Sequence, residues 1–385
     1  IIDIFNREIL LADTNKIETE MLNQINNLSN ELKILGNDRD LLTKAREAYA
    51  HINEAFSRMF GYQSDRLTAL KEELSFLETK ADRISAARKS IHEFIDSEPF
   101  QKIIRLFNNG NSLHEIAEIN HLAEQWDYRQ KLASGGERQQ VTVEDEFVLQ
   151  HRDEIISCFR KLGMLDEKTV VPFKPDYILP LGGFGNSNLR RCQLARKTAD
   201  RYPARKIKVV ALSSHRDIVQ ESEFVSNRDF APDARTEYEE MDMAMRKAFD
   251  LTNIVSSRSY GEPESREYWT LVEYESDSPL RSFYSLSAPC YDENRARANT
   301  IDTFRHFLKC FEVKRDSMIF LLSTSLYEPY QFYSLLPDAI ECGVKLFFVG
   351  GSYKSRDEDI LATLCLQDLK SAVNAMKRFE DIYPL

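Results

Sequence analysis

No Cys-x-x-Cys pair occurs among the six cysteines, at positions 158, 192, 290, 310, 342 and 365, which argues against a zinc ribbon or a thioredoxin-like redox centre. Single scattered cysteines suit a reducing compartment, where they serve as small apolar groups, and a cytoplasmic setting is expected. No run of about 18 apolar residues occurs, so no transmembrane helix is expected. The chain begins with Ile1 rather than Met, which leaves room for a leader or anchor ahead of it. Positive charge is short: 51 Lys and Arg stand against 62 Asp and Glu, a formal net charge of −11. Sequence-independent nucleic-acid binding needs the opposite balance and is not expected. Glycine (13) and proline (12) are scarce, which excludes a fibrous or linker-dominated chain. What is present is enough for packed cores, 42% hydrophobic and 11% aromatic residues, and 385 residues allow two or three domains.

From about Glu8 to Glu98 the chain is helix-patterned and nearly free of Gly and Pro. Met21, Leu28, Leu35, Leu42, Tyr49 and Phe56 recur every seven residues. Ile25 and Leu32, then Ala45, Ile52 and Met59, fill an alternate seam whose phase drifts. Gly36-Asn37-Asp38 is a possible break and Gly61 to Asp65 a turn. A second stripe follows: Leu67, Leu70, Leu74, Leu77, Ala81, Ile84, Ile91 and Ile95. The pattern predicts an antiparallel helical hairpin, with a pairing role within the chain, with a second copy or with a protein partner. Pro99 opens a further helix, and 113–132 another. His114 and His121 share a helix face but lack the closer spacing of a metal site, and none is expected.

Ser134-Gly135-Gly136 begins the best linker candidate. The expected division is a helical domain over 1–134, a linker and connecting helix over 135–165 with Gly163 as its C-cap, and an α/β domain over 166–385. In the last part short apolar runs at 176–181, 206–212, 318–322 and 344–349 alternate with helical patterns at 236–251, 300–311 and 357–379. Residues 268–274 and 282–286 read as a hairpin across Asp277-Ser278-Pro279. The fold class is therefore α/β: an N-terminal helical hairpin or bundle, then a Rossmann-like, mostly parallel sheet covered on both faces.

Ligands of such sheets sit at the carboxyl ends of the strands. The central stretch runs from Asp176 to Ala199, a strand, then Gly182-Gly183-Phe184-Gly185, then a helix that Asn186 or Ser187 can cap. Strand, glycine turn and helix start present backbone N–H groups to an anion. The turn lacks the spacings of a dinucleotide fingerprint and of a P-loop. Arg190 and Arg191 lie on the helix behind it. Ser213 and Ser214 follow the second strand, with His215 in the same polar loop, and Thr324 and Ser325 follow the strand at 318. Thr236 and Glu239 fit a capping box. Asn299 or Thr300 can cap the helix at 300, whereas Arg297, where the helix dipole disfavours a cation, suits an anion or a carboxylate such as Glu237.

In order, these motifs resemble the YdcF/SanA/ElyC-like family, a bacterial domain typified by YdcF, over about residues 175–350. The elements are Leu181-Gly182-Gly183 with Arg190 or Arg191, Ser213-Ser214 with Thr236-Glu237 and Met241, Arg297-Ala298-Asn299-Thr300, and Thr324-Ser325. Tyr327 and Gln331 stand near where the family has His and Arg. The resemblance implies a Rossmann-like domain and a nucleotide or S-adenosylmethionine ligand. The expected site thus admits a small anionic or nucleotide-like ligand at Gly182, Gly183, Gly185 and Asn186. Arg190, Arg191 and Arg297 neutralise charge, and Ser213, Ser214, Asn299, Thr300, Thr324 and Ser325 supply hydrogen bonds. Proton transfer, if the ligand is acted on, falls to His215 and Glu237. The second reading, motivated by Tyr327 and Gln331, is an inactive scaffold whose helical arm mediates dimerisation or partner binding.

Overall fold

The computed structural model describes residues 16, 19–30, 38–60, 65–129, 145–169, 171–263, 265–295, 297–353 and 358–384. Two compact units result, Ile1–Ser90 and Ile91–Leu385. In the first, residues 19–30 are helical, and helix α1 (Arg39–Phe60) is followed by α2 (Asp65–Ile95), which runs into the second unit. Met21, Ile25, Leu28, Leu42, Phe56, Leu67, Leu70 and Leu74 share one core. Arg39 pairs with Asp82 at 2.7 Å and Arg46 with Glu78 at 3.3 Å, so α1 and α2 run antiparallel. Asp38 starts α1 by accepting from the N–H groups of Asp40 and Leu41. The heptad stripe is therefore spent inside the arm; its Leu32 and Leu35 lie outside the described residues.

The boundary between units falls earlier than the expected one near 135–165. Helices α3 (Glu98–Phe107) and α4 (Ile116–Ala123), with a 3₁₀ turn at Glu124–Trp126, belong to the second unit. The physical reason is their apolar load: Phe100, Ile103, Ile104, Ile119 and Trp126 are all fully buried. Helix α4 lies against the C-terminal helix, and Lys370 of that helix pairs with Asp127. The helix expected over 113–132 is shorter than that, ending at Ala123. The Ser134-Gly135-Gly136 linker lies outside the described residues. Helices α5 (Glu146–Gln150) and α6 (Arg152–Lys161) follow. Gly163, at φ +71°, ends α6 as expected: its N–H donates to Arg160 and that of Met164 to Phe159.

The α/β part contains β1 (Tyr177–Pro180), α7 (Asn186–Asp200), β2 (Ile207–Ser213), α8 (Glu221–Asn227), α9 (Glu237–Phe249), β3 (Ile254–Tyr260), β4 (Trp269–Tyr274), β5 (Arg281–Ser287), α10 (Thr300–Cys310), β6 (Met318–Thr324), α11 (Glu328–Glu341), β7 (Lys345–Gly351) and α12 (Glu358–Ile382). The seven strands form one sheet in the order β3-β4-β5-β2-β1-β6-β7. The pairs from β5 to β7 are parallel; β3-β4 and β4-β5 are antiparallel. The 269–287 hairpin is present as expected. Strand β3 was not: its residues are all exposed, so no apolar alternation marks it.

Side-chain alternation along the strands builds two cores. Ile178, Val209 and Phe320 face Cys192 and Met241 of α7 and α9, whereas their successors Leu179, Val210 and Leu321 face Phe304 and Leu335 of α10 and α11. Pro180 is tolerated in a central strand because Leu181 N–H donates to Leu322 of β6 and Gly182 N–H to Leu212 of β2. The missing N–H of Pro180 thus points toward β2, where pairing lapses between Ile178 and Leu181. The chain leaves β1 toward β2 and later returns to β6 on the other side, so the strand order reverses at β1, where such sheets place ligands.

Candidate functional site

Two cavities open at the carboxyl edge of the sheet. The first, about 440 Å³, is lined by Leu181 and Gly182 after β1, by Leu212, Ser213 and Ser214 at the end of β2, and by Glu237. Its other walls are Arg295, Arg297, Ala298, Asn299, Thr300 and Thr303 at the start of α10, with Arg129 and Tyr330. The second, about 420 Å³, includes Arg190, Arg191, Ser323, Thr324, Tyr327 and Tyr353 in its lining.

The glycine turn is built differently from the expected anion cradle. Gly182 N–H donates to Leu212 O at 2.6 Å, and Gly183 N–H donates to Asn188 Oδ1 at 2.8 Å. Asn186 N–H donates to Ser226 Oγ at 2.9 Å. All three donors are already used, so Gly183 and Asn186 spend their N–H groups on the turn rather than on a ligand. Asn186 and Ser187 are also not the cap: Gly185, at φ +50°, occupies that position, and Ser226 does the capping from α8. A Cβ on Gly185 would lie 2.7 Å from that of Ser226, so side-chain-free backbone is required there. Gly182 does face the first cavity; a Cβ there would run into Glu237 Oε1 and approach Leu212 O to 3.0 Å.

Arg191 is 4% exposed, and its Nη1 donates to Leu181 O at 2.6 Å and to Gly182 O at 2.5 Å. The expected charge-neutralising role gives way to a clamp on the turn. Beside it, Asn188, which the sequence pattern did not single out, is fully buried and holds Gly183 by both its N–H and its carbonyl. Asn188 Nδ2 also donates to Glu240 at 3.0 Å. Glu240 is itself fully buried, and burial, reinforced by nearby Glu223, pushes its carboxyl up to about 8.

The end of β2 and the start of α9 are stitched together. Asp217 bridges Thr236, and Glu237 N–H donates to Arg216 O at 2.8 Å. The Thr236–Glu239 capping box is present as expected and starts α9 at Glu237. The Glu237 side chain accepts from Ser214 N–H at 3.3 Å and from Arg216 Nε at 3.1 Å. Arg216 also forks onto Glu223, which is fully buried. Burial raises the Glu237 carboxyl above its ordinary range, opposed by Arg216 and by the charge of Arg297. Arg297 and Glu237 are thus electrostatic neighbours on one cavity, the arrangement expected from the helix-dipole argument.

Ser213 is 2% exposed, lines the cavity, and its Oγ has no hydrogen-bond partner among the described residues. A buried hydroxyl left this way costs free energy unless something fills the space. Asn299 is occupied as the α10 cap, accepting from Asp302 N–H while Asp302 accepts from Asn299 N–H. Thr300 lines the same cavity.

His215 is not on the cavity. Its Nε2 lies 2.8 Å from Ser287 Oγ, and its ring sits between those of Tyr238 and Tyr268 at 4.9 and 4.5 Å. Burial pulls its pKa down to about 4, so it is uncharged near neutral pH, and the expectation of a titrating His at this edge is corrected. Thr324 lines the second cavity; Ser325 is fully buried beneath Gly350.

Arg129 and Arg295 were not anticipated. Arg129 is 166 residues before Arg295 in sequence, and its N–H is held by Gln367 of α12 at 3.0 Å. Arg295 is tied to Asp292 and Asp302 at 3.0 and 2.8 Å. The charge of Arg295 beside a capped helix start was visible in sequence; the contribution of Arg129 was not.

Among the described residues, no helix is long and apolar enough to cross a membrane. No family model and no solved structure matches the chain. Uncharacterized proteins of Mycobacterium tuberculosis (strain H37Rv) and Mycobacterium bovis are similar to it, each 27% identical over 255 residues, covering 61% of this chain and 70% of theirs.

Proposed function

We propose that the α/β unit binds a small anionic ligand, phosphorylated or carboxylated and nucleotide-like in class, in the first cavity. The observation that carries this reading is the convergence of Arg129, Arg295 and Arg297 on a space where Glu237 is the single carboxylate among the described lining residues. Arginine forks suit phosphate and carboxylate oxygens. The N-terminus of α10 adds its positive end, and Ser213 Oγ offers a donor that has no partner among the described residues. The YdcF-like order of motifs supports the same edge of the sheet and suggests S-adenosylmethionine as one candidate. Glu237, with its raised pKa, is the group that would take or give a proton if the ligand is transformed.

Binding of inorganic phosphate, adenosine diphosphate and S-adenosylmethionine, followed by titration calorimetry, tests this. Arg297→Ala should weaken the ligand that binds by roughly tenfold or more, the worth of one charged hydrogen bond. No binding by any of the three, or binding that Arg297→Ala leaves unchanged, sinks the proposal. The scaffold reading has less support: the arm buries Met21, Leu28, Leu42 and Phe56 within itself, which uses the surface that self-association through the stripe would need.

A further inference from the structure

The second cavity has a chemistry of its own. It lies on the α7 side of the β1 turn, over the ends of β6 and β7, at the point where the strand order reverses. Its cations differ in what they hold. Arg191 is committed to the Leu181 and Gly182 carbonyls, and Lys197 pairs with Glu167 at 3.3 Å. Arg190 is exposed and makes no hydrogen bond or ion pair with the described residues. Opposite the charges are two aromatic rings, Tyr327 and Tyr353, 6.3 Å apart and edge to face. Arg191 lies 5.7 Å over the Tyr327 ring. At the floor, Ser323 is 1% exposed, and its Oγ has no partner among the described residues.

We infer that this second cavity is a separate binding site for a small aromatic anion, with one ring against Tyr327 and Tyr353 and one acidic group at Arg190. An aromatic ring gains from edge-to-face and stacked contact with tyrosines. The open guanidinium can fork onto a phosphate or carboxylate. Ser323 supplies a hydrogen bond that no apolar ligand would satisfy. The volume, about 420 Å³, is in the range of small-ligand pockets. The first cavity brings arginines and hydroxyls together but has Tyr330 as its single aromatic side chain among the described lining residues, so the two sites differ in the ligand they prefer. A nucleoside monophosphate and a simple aromatic carboxylate share the required chemistry.

Calorimetry on the full chain distinguishes these sources, using adenosine 5′-monophosphate, 4-hydroxyphenylacetate, adenosine and inorganic phosphate as probes. The expected result is that the monophosphate or the aromatic carboxylate binds, and that adenosine and phosphate bind that site more weakly than the molecule joining ring and acid. Arg190→Ala should weaken binding roughly tenfold, and Tyr353→Leu should weaken it as well. Because Arg190 is exposed and makes no hydrogen bond or ion pair with the described residues, its removal should leave the fold intact. Arg297→Ala, in the first cavity, should leave this binding unchanged, so failure here is separable from failure of the first site. The inference is overturned if neither aromatic acid binds, if Arg190→Ala has no effect, or if the binding disappears with Arg297→Ala.

Discussion

Behind the Gly182–Gly183 turn and in front of it, the protein uses the same residue types to opposite ends. Behind, Arg191 holds two carbonyls, Arg216 joins Glu223 to Glu237, and Asn188 ties Gly183 to Glu240. These groups are nearly dry, and each charge there meets an opposite charge or a hydrogen-bonding dipole. In front, Arg297 and Ser213 line an open cavity, and the Ser213 hydroxyl lacks a partner among the described residues. A polar group in the first setting specifies the shape of the turn; in the second it borders open space, where the proposed ligand would meet it. Residue type alone does not separate the two roles, whereas burial together with satisfaction of hydrogen bonds does.

The comparison breaks most decisively at Arg216. Arg216→Met strands Glu223, which is fully buried, and removes a partner of Glu237. Leaving a buried charge unpaired costs about 3–5 kcal/mol. Urea unfolding read by tryptophan fluorescence reports this unit, because Trp126 and Trp269 both lie in it. A loss below 1 kcal/mol would show that the network behind the turn is not structural. Arg191→Met should cost about 2–3 kcal/mol, from the charged bonds to the two carbonyls, and should loosen the turn without abolishing anion binding in the first cavity.

Gly183→Ala is a smaller test of the same clamp. Its Cβ would sit 2.6 Å from Arg191 Nη1 and 2.8 Å from Ser187 Oγ, which predicts a loss of about 1–3 kcal/mol in the same assay. The pH profile sharpens the comparison further. Glu240 titrates at about 8 in the folded chain against 4.5 for the ordinary carboxyl, so the folded state holds a proton that the unfolded state has released between those values. Its contribution is complete below about 4.5 and is lost as pH rises toward 8. Glu240→Gln should remove that decline; a wild-type and variant difference that stays constant from pH 5 to pH 8 would contradict it. The smallest stability effects belong to the front: Arg297→Ala and Ser213→Ala should each change stability by about 0.5 kcal/mol or less, while ligand binding falls.

Much of the architecture was legible in the chain. Of the heptad positions, Met21, Leu28, Leu42 and Phe56 reappear in the arm's core with Tyr49 packed against it, because a period near 3.5 can bury only one helical face. The apolar runs at Ile178, Val209, Phe320 and Phe348 became parallel strands, and the Thr236 and Asn299 caps start the helices they were expected to start. Strand β3 escaped because an exposed edge strand carries no burial pattern, and the unit boundary was misplaced because the helices at 98–126 bury Phe100 and Trp126 in the second unit. At the site, the strand ends were found, but the roles of Arg191, His215 and Asn186 were not. Each depends on a partner far away in sequence or on burial: the turn carbonyls, Ser287 with two tyrosines, and Ser226.

Sequence by itself determined many of the local terms: most of the longer helices and the buried strands, the caps at Thr236 and Asn299, and that the sheet ends are rich in Gly, Ser and Arg. Those follow from periodicity and capping, which act over a few residues. Only the tertiary structure decided that Arg129 joins Arg295 and Arg297 on one cavity, that Arg191 faces inward while Arg190 stays open, and that His215 is half-buried and uncharged near neutral pH. Those outcomes depend on desolvation and on which groups meet across the fold, and both are properties of the assembled chain rather than of any stretch of it.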